Sequence, residues 1–212
     1  MDNRKKAEEI LRRLKKFYPD AKIRLNYGNH IQLLVAVILS AQCTDKKVNE
    51  VAEKLFKKYK TARDFACANR ARFEQEIKSA GFYRAKAKNI INACKMIERD
   101  FGRKLPKTMA EMIKLPGVAR KTANIVLGNA YGVVEGIAVD THVRQFANYC
   151  ALSLESNPNK IEQDLMKLIP KKNWFNTTYR IIDFNREMRS RVSREAAKSK
   201  IHLLDICPNA PI

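Results

Sequence analysis

The chain has 212 residues and carries 42 Lys and Arg against 22 Asp and Glu, a formal net charge of +20. Hydrophobic residues make up 45% and charged residues 30%, which excludes a disordered chain and points to a globular one with a real core. A positive surplus this large on a folded chain predicts a polyanionic partner, nucleic acid first. A solubility charge is the alternative, because both signs are interspersed along most of the sequence.

Helical periodicity runs through the chain in order. Ala7, Ile10, Leu11, Leu14 and Phe17 make one stripe, ended near Pro19. Gln32 to Ser40 reads as a helix buried all round. Its run Leu33 to Ala41 is too short to span a bilayer, so no membrane partner is expected. Val48, Val51, Leu55 and Phe56 form another stripe, and helices are predicted over Phe65 to Ala80 and Ala85 to Phe101, stopped at Gly81 and Gly102. Thr108 to Glu111 has the pattern of a capping box, with a short helix to Lys114. Further helices are predicted from about Ala119, after Asp140, from Asn159 to Pro170 and from Thr177 to about Ser190. No convincing strand and no low-complexity linker is found, so the expected class is all-α.

Five cysteines stand at 43, 67, 94, 150 and 207, none in a CxxC pair. The number is odd and the opening MDNRKKAEE is too charged for a secretory signal. Reduced thiols in a cytoplasmic, nucleoid-associated protein are expected.

The stretch LPGVARKTANIVLGNA, Leu115 to Ala130, carries the first chemical signal. Gly117 supplies the freedom to reverse direction between two helices. The unpaired N–H groups of the second helix offer a phosphate site that grips DNA without reading its sequence. A purely structural Pro-Gly turn is the alternative. Arg120 and Lys121 stand at the end of the helix where the dipole disfavours cations. Lys121 lies on the side of Asn124, Ile125 and Gly128, away from the Ala123, Val126, Leu127 stripe. Its positive surroundings favour the neutral amine, a nucleophile; a phosphate-binding lysine fits the spacing equally. Nineteen residues on, Asp140 opens AVDTHV. It suits an N-cap, and equally a carboxylate that moves protons and steadies positive charge on a sugar. His142 alone reads as a structural hydrogen-bonding group.

LPGVARKTANIV followed by AVDTHVRQ resembles the endonuclease III family of helix-hairpin-helix DNA glycosylases, and so do LLVAVILSAQCTDKKVN and IKSAGFYRAKAKNI. The resemblance runs from about residue 5 to residue 170, roughly four-fifths of the chain. It implies a two-lobed all-α fold with a cleft: residues 23–133 as a central helical bundle with the hairpin, and 1–22 plus 134–212 as a terminal lobe. It implies a base-excision glycosylase with abasic-site lyase activity on oxidised pyrimidines in duplex DNA. Lys121 would attack the anomeric carbon, and Asp140 would assist. Gln42 and Phe82 would fill the space left by the extruded nucleotide; alone, they read as a buried hydrogen-bonding residue and a core aromatic. Leu115, Gly117, Val118, Ala119, Arg120, Thr122, His142, Arg186 and Arg191 would complete the DNA contacts.

The chain departs from the family near its C-terminus. Relatives carry four cysteines there for a [4Fe–4S] cluster; here only Cys207 remains, with Ile201, Lys198 and Arg191 or Arg189 at the other positions. One thiolate cannot hold such a cluster, so no cofactor is expected and Cys207 reads as a partly buried relic. Arg186, Arg189, Arg191, Arg194, Lys198 and Lys200 keep the tail basic, for phosphates or simply for solvent. Ala119 stands where the hairpin usually has glycine. The expected partner is damaged or abasic duplex DNA, bound by a monomer. The alternatives are a glycosylase for mismatched or deaminated bases and a non-catalytic DNA-binding hairpin protein.

Overall fold

The structure is a computed structural model, and residues 2–189 and Cys207 are described. Those residues are helices and connecting turns with no strand among them. They divide into two compact units, Arg24–Val133 and a discontinuous unit of Met1–Ile23 with Val134–Ile212.

In the discontinuous unit, α1 (Asn3–Phe17), α9 (Thr141–Tyr149), α10 (Pro158–Leu168) and α11 (Trp174–Arg189) share one core. Ile10 and Leu14 of α1 meet Val143 and Phe146 of α9, Ile161 and Leu165 of α10, and Ile181 and Phe184 of α11. Two starts differ from the sequence reading. α10 begins at Pro158, because Asn157 caps it and proline suits a first helical position whose N–H has no partner anyway. α11 begins at Trp174, whose indole N–H donates to Ile169 O at 2.7 Å and so fixes the preceding turn.

The central unit is built on α2 (His30–Leu39), in which every residue from Ile31 to Leu39 is buried. The one polar residue of that buried run, Gln32, is fully used: Oε1 accepts from Gly28 N at 2.8 Å and Nε2 donates to Tyr59 O at 3.2 Å. That bonding offsets a desolvation cost of about 1–3 kcal/mol. Around α2 stand α3 (Asp45–Lys58), α4 (Ala62–Ala66), α5 (Arg70–Glu76), α6 (Tyr83–Asp100), α7 (Met109–Met112) and α8 (Arg120–Tyr131).

The single helix expected over Phe65–Ala80 is three pieces: α4, α5 and a 3-10 turn at Lys78–Ala80. Side-chain caps explain the breaks. Thr61 and Asp64 form a capping box for α4, and Asn69 Oδ1 accepts from Arg72 N to start α5. Phe65 and Phe73 remain buried, the first stacked on Tyr59 and the second edge-on to it, so the apolar spacing served the core without one continuous helix.

The expectation of five reduced thiols, and of Cys207 as an unpaired relic, is corrected. Cys150 and Cys207 form a disulfide across 57 residues of sequence, and both are buried. Cys150 closes α9 inside the terminal core. Pairing follows from that tertiary neighbourhood, which cysteine spacing alone does not encode. Cys43, Cys67 and Cys94 are free. Among the described residues, no helix is long and apolar enough to cross a membrane.

Candidate active site

The hairpin is set by its two buried anchors. Leu115 and Val118 are 2% and 5% exposed, and Val118 N donates to Leu115 O at 3.0 Å across the turn. Gly117, between them, has φ +79°, and a Cβ added there would lie 2.7 Å from Asn89 Cβ on α6. Only glycine meets both demands, backbone and space. Ala119 has φ −89° and ψ 171°, ordinary extended backbone, so alanine carries no strain here. It is the N-cap of α8 and offers no capping side chain. The N-terminus of α8 therefore has no N-cap side-chain hydrogen bond, which suits a phosphate.

Arg120, Lys121 and Thr122 form that first turn, each half-buried. Among the described residues, Lys121 enters no hydrogen bond or ion pair. Beneath it on the helix, Asn124 and Gly128 are buried and Ile125 is half-buried.

Gln42 and Phe82 occupy two other turns of the same unit. Both have left-handed backbone, with φ of 52° and 48°, although neither is glycine. Both are exposed, Phe82 by 65%. The readings of Gln42 as a buried hydrogen-bonding residue and Phe82 as a core aromatic are therefore excluded. A non-glycine left-handed residue costs about 1 kcal/mol or more, and such outliers gather at functional sites. Phe82 is also the N-cap of α6, the helix whose Asn89 meets Gly117. Two residues here escaped the sequence reading, Asn89 and Lys86. Their signal was available only as polar positions within an otherwise apolar helix face.

In the discontinuous unit, Asp140 caps α9, its Oδ1 accepting from Val143 N at 2.9 Å. The cap uses one oxygen and leaves Oδ2 for other work. Ile137, Ala138 and Val139 are buried just before it, and Thr178 Oγ1 donates to Ala138 O at 3.0 Å. His142 is half-buried on the first turn of α9, and its carbonyl accepts from Asn185 Nδ2 at 2.9 Å. That bond ties α9 to α11 next to Arg186, itself half-buried. Arg191, with Val192, Arg194, Ala196, Lys198, Lys200, Ile201 and Leu203, lies outside the described residues, and of Arg189 no side chain is described.

A cavity of about 940 Å³ in the central unit is lined by Tyr27, His30, Lys60, Arg63, Lys107 and Tyr131, among others, and by none of the candidate residues. Tyr131 ends α8 while Lys121 begins it, about 15 Å away at the helical rise. The candidate residues thus stand at turns and helix starts, not in this cavity. Among the described residues, no group of three or more His, Cys, Asp or Glu could hold a metal ion.

Residues 35–171 match the model of the HhH-GPD superfamily base excision DNA repair proteins. The endonuclease III of Synechocystis sp. is 45% identical over 207 residues, spanning 98% of this chain and 94% of that one. That of Bacillus subtilis is 43% identical over 187 residues, spanning 88% and 85%. The chain belongs to the endonuclease III family. Among solved structures, a non-covalent endonuclease III–DNA complex is similar with a TM-score of 0.88, 38% identity and 97% of each chain covered. A trapped covalent endonuclease III–DNA intermediate is similar with the same TM-score and identity over 96% of each. A thermostable thymine-DNA glycosylase, 20% identical with a TM-score of 0.81, shares the endonuclease III fold.

Proposed function

We propose that the protein is a base-excision DNA glycosylase with abasic-site lyase activity, acting as a monomer on oxidised pyrimidines in duplex DNA of the cytoplasmic nucleoid. The observation that carries the reading is Lys121. It is a half-buried amine at an uncapped hairpin-helix N-terminus, with no partner among the described residues, in a chain similar to a relative trapped as a covalent DNA intermediate.

The neutral Lys121 amine attacks C1′ of the damaged nucleotide; the C–N bond to the base breaks, and the base leaves with that electron pair and takes up a proton. Loss of the amine proton and opening of the sugar ring give an iminium at C1′. Removal of a C2′ proton then expels the 3′ phosphate by β-elimination, cutting the strand on that side. Asp140 supplies a carboxylate to steady positive charge at the sugar and to exchange protons. The first turn of α8, with Arg120 and Thr122, takes the phosphate, while Leu115, Gly117, Val118 and Ala119 shape the turn that presents it. Phe82 is a wedge and Gln42 a polar filler where the nucleotide has left. His142, Arg186 and Arg191 add DNA contacts from the C-terminal part of the chain.

The reading includes no iron–sulfur cluster. The four-thiolate donor set does not fit: Cys207 is bonded to Cys150, and Cys43, Cys67 and Cys94 belong to the other unit. Purified protein is expected to be colourless, without broad visible absorbance.

Borohydride trapping on duplex DNA with thymine glycol tests the chemistry. A covalent adduct that disappears in Lys121→Gln is expected. Tight, salt-sensitive binding without any adduct would replace the enzyme with a non-catalytic DNA clamp. Adduct on mismatched or deaminated pairs but none on thymine glycol would move the substrate class.

A further inference from the structure

Lys86 is a charged residue buried to 5% exposure in α6, and the chemistry at Lys121 has no direct use for it. Its Nζ donates to Leu39 O and to Ala80 O, each at 2.8 Å. Burial lowers the affinity of this amine for its proton, with Cys43 opposing. A buried ammonium that satisfies two carbonyls is costly to assemble and costly to break.

The two carbonyls have something in common. Leu39 is the last residue of α2, and Ala80 is the last of the 3-10 turn. Terminal carbonyls of helices lack intrahelical partners and carry the negative end of the dipole, so a cation there is stabilised. From each carbonyl the chain enters an exposed left-handed turn. Three residues after Leu39 comes Gln42, and two residues after Ala80 comes Phe82. Left-handed non-glycine residues persist only where the surroundings over-determine them. Phe82 has no burial to hold it. Lys86 hydrogen-bonds the exits of both segments, which are distant in sequence.

We infer that Lys86 is a positioning residue: one ammonium locks the two turns together and presents Gln42 and Phe82 at a set separation. It does not touch the reacting atoms. This rests on the glycosylase reading, in which those two side chains fill the space of an extruded nucleotide. Positioning then matters only where a nucleotide must be taken out of a duplex. It does not matter for an abasic site in single-stranded DNA, which needs no extrusion.

The test compares Lys86→Met, which keeps the aliphatic stem, with wild type and with Lys86→Arg, which keeps charge and donors. Amide hydrogen exchange on the free protein reads the turns at Cys43 N–H and Gly81 N–H, which bond to Ser40 O and Lys78 O. Exchange at both is expected to quicken by at least ~10-fold in the methionine variant, and the arginine variant to recover part of it. On duplex thymine glycol, kcat is expected to fall by ~10–100-fold, the scale of a misplacement near 1 Å. Trapping on single-stranded abasic DNA is expected to stay within ~2-fold of wild type. Loosening of one turn only, or of neither, overturns the inference. So does an equal loss on duplex and single-stranded DNA, which marks a general defect. If the methionine variant does not fold, Lys86→Gln keeps one donor group without charge and is judged by the same criteria. If wild type forms no adduct with either DNA, the glycosylase reading falls, and hydrogen exchange alone decides whether Lys86 locks the turns.

Discussion

The two units place their candidate residues in opposite ways. In the central unit, the polar or exposed ends of the Lys121, Gln42 and Phe82 side chains make no bond that holds the fold. The first is unpartnered among the described residues, and the other two are exposed on left-handed backbone. In the discontinuous unit, Asp140 is an N-cap and the His142 carbonyl is a bridge from α9 to α11. The role proposed for them there falls on residues the fold already needs. A residue that does nothing for its own unit is thus a stronger functional signal than one that serves as a cap. Substitutions at Lys121, Gln42 and Phe82 should therefore separate stability from activity, whereas Asp140→Ala should lower both.

The largest expected effect is at Lys121. Lys121→Gln should abolish the trapped adduct, at least ~10³-fold below wild type, as loss of a covalent nucleophile does. Its urea midpoint should move by no more than ~0.5 kcal/mol equivalent, because glutamine keeps most of the aliphatic stem and no hydrogen bond or ion pair is lost. A large stability loss would mean that Lys121 has a structural partner and would erase the contrast.

The cysteines come next. Reduction, or Cys207→Ser, should cost the discontinuous unit ~2–4 kcal/mol, since the bond closes a loop of 57 residues. The central unit, whose three cysteines are free, should be indifferent to reductant. Unfolding followed by Trp174 fluorescence, a probe in the discontinuous unit, checks this.

Gly117→Ala should cost ~2–3 kcal/mol, combining left-handed strain with overlap on Asn89. Asn89→Gly removes the Cβ that lies 2.7 Å away, so the double variant with Asn89→Gly should recover the overlap share, less the ~1 kcal/mol that glycine costs inside α6, and DNA affinity should fall with Gly117→Ala. No change would mean that α6 and the hairpin are less tightly joined than their geometry requires.

The smallest effect is at the cap, and it is the sharpest separation in the discontinuous unit. Asp140→Ala should lose ~1 kcal/mol of stability, whereas Asp140→Asn should lose almost none, because asparagine caps as well. Both should be poor enzymes, since neither carries a carboxylate. If Asp140→Asn keeps full activity, the cap is the whole of Asp140's role.

Much of this was legible in the sequence. Gly117 was marked by its place between two apolar runs, and the structure adds why: positive φ and a 2.7 Å approach. Asp140 was marked as a cap by the helix that follows it, and it is one. Ala119 was marked as standing where the hairpin usually has glycine, and its φ of −89° suits alanine. The helix over 65–80 was misread because apolar spacing outlasts a helix break when the pieces pack on one core, as Phe65 and Phe73 do.

By itself, the sequence determined the local things: helix faces, caps, the hairpin and the family. These depend on residues within a few positions of each other, where periodicity and capping chemistry act. Tertiary structure alone decided that Cys150 meets Cys207, that Asn89 demands a glycine at 117, and that Lys86 joins Leu39 to Ala80. Each is a contact between segments far apart in the chain, and only packing brings such groups within a bond's reach.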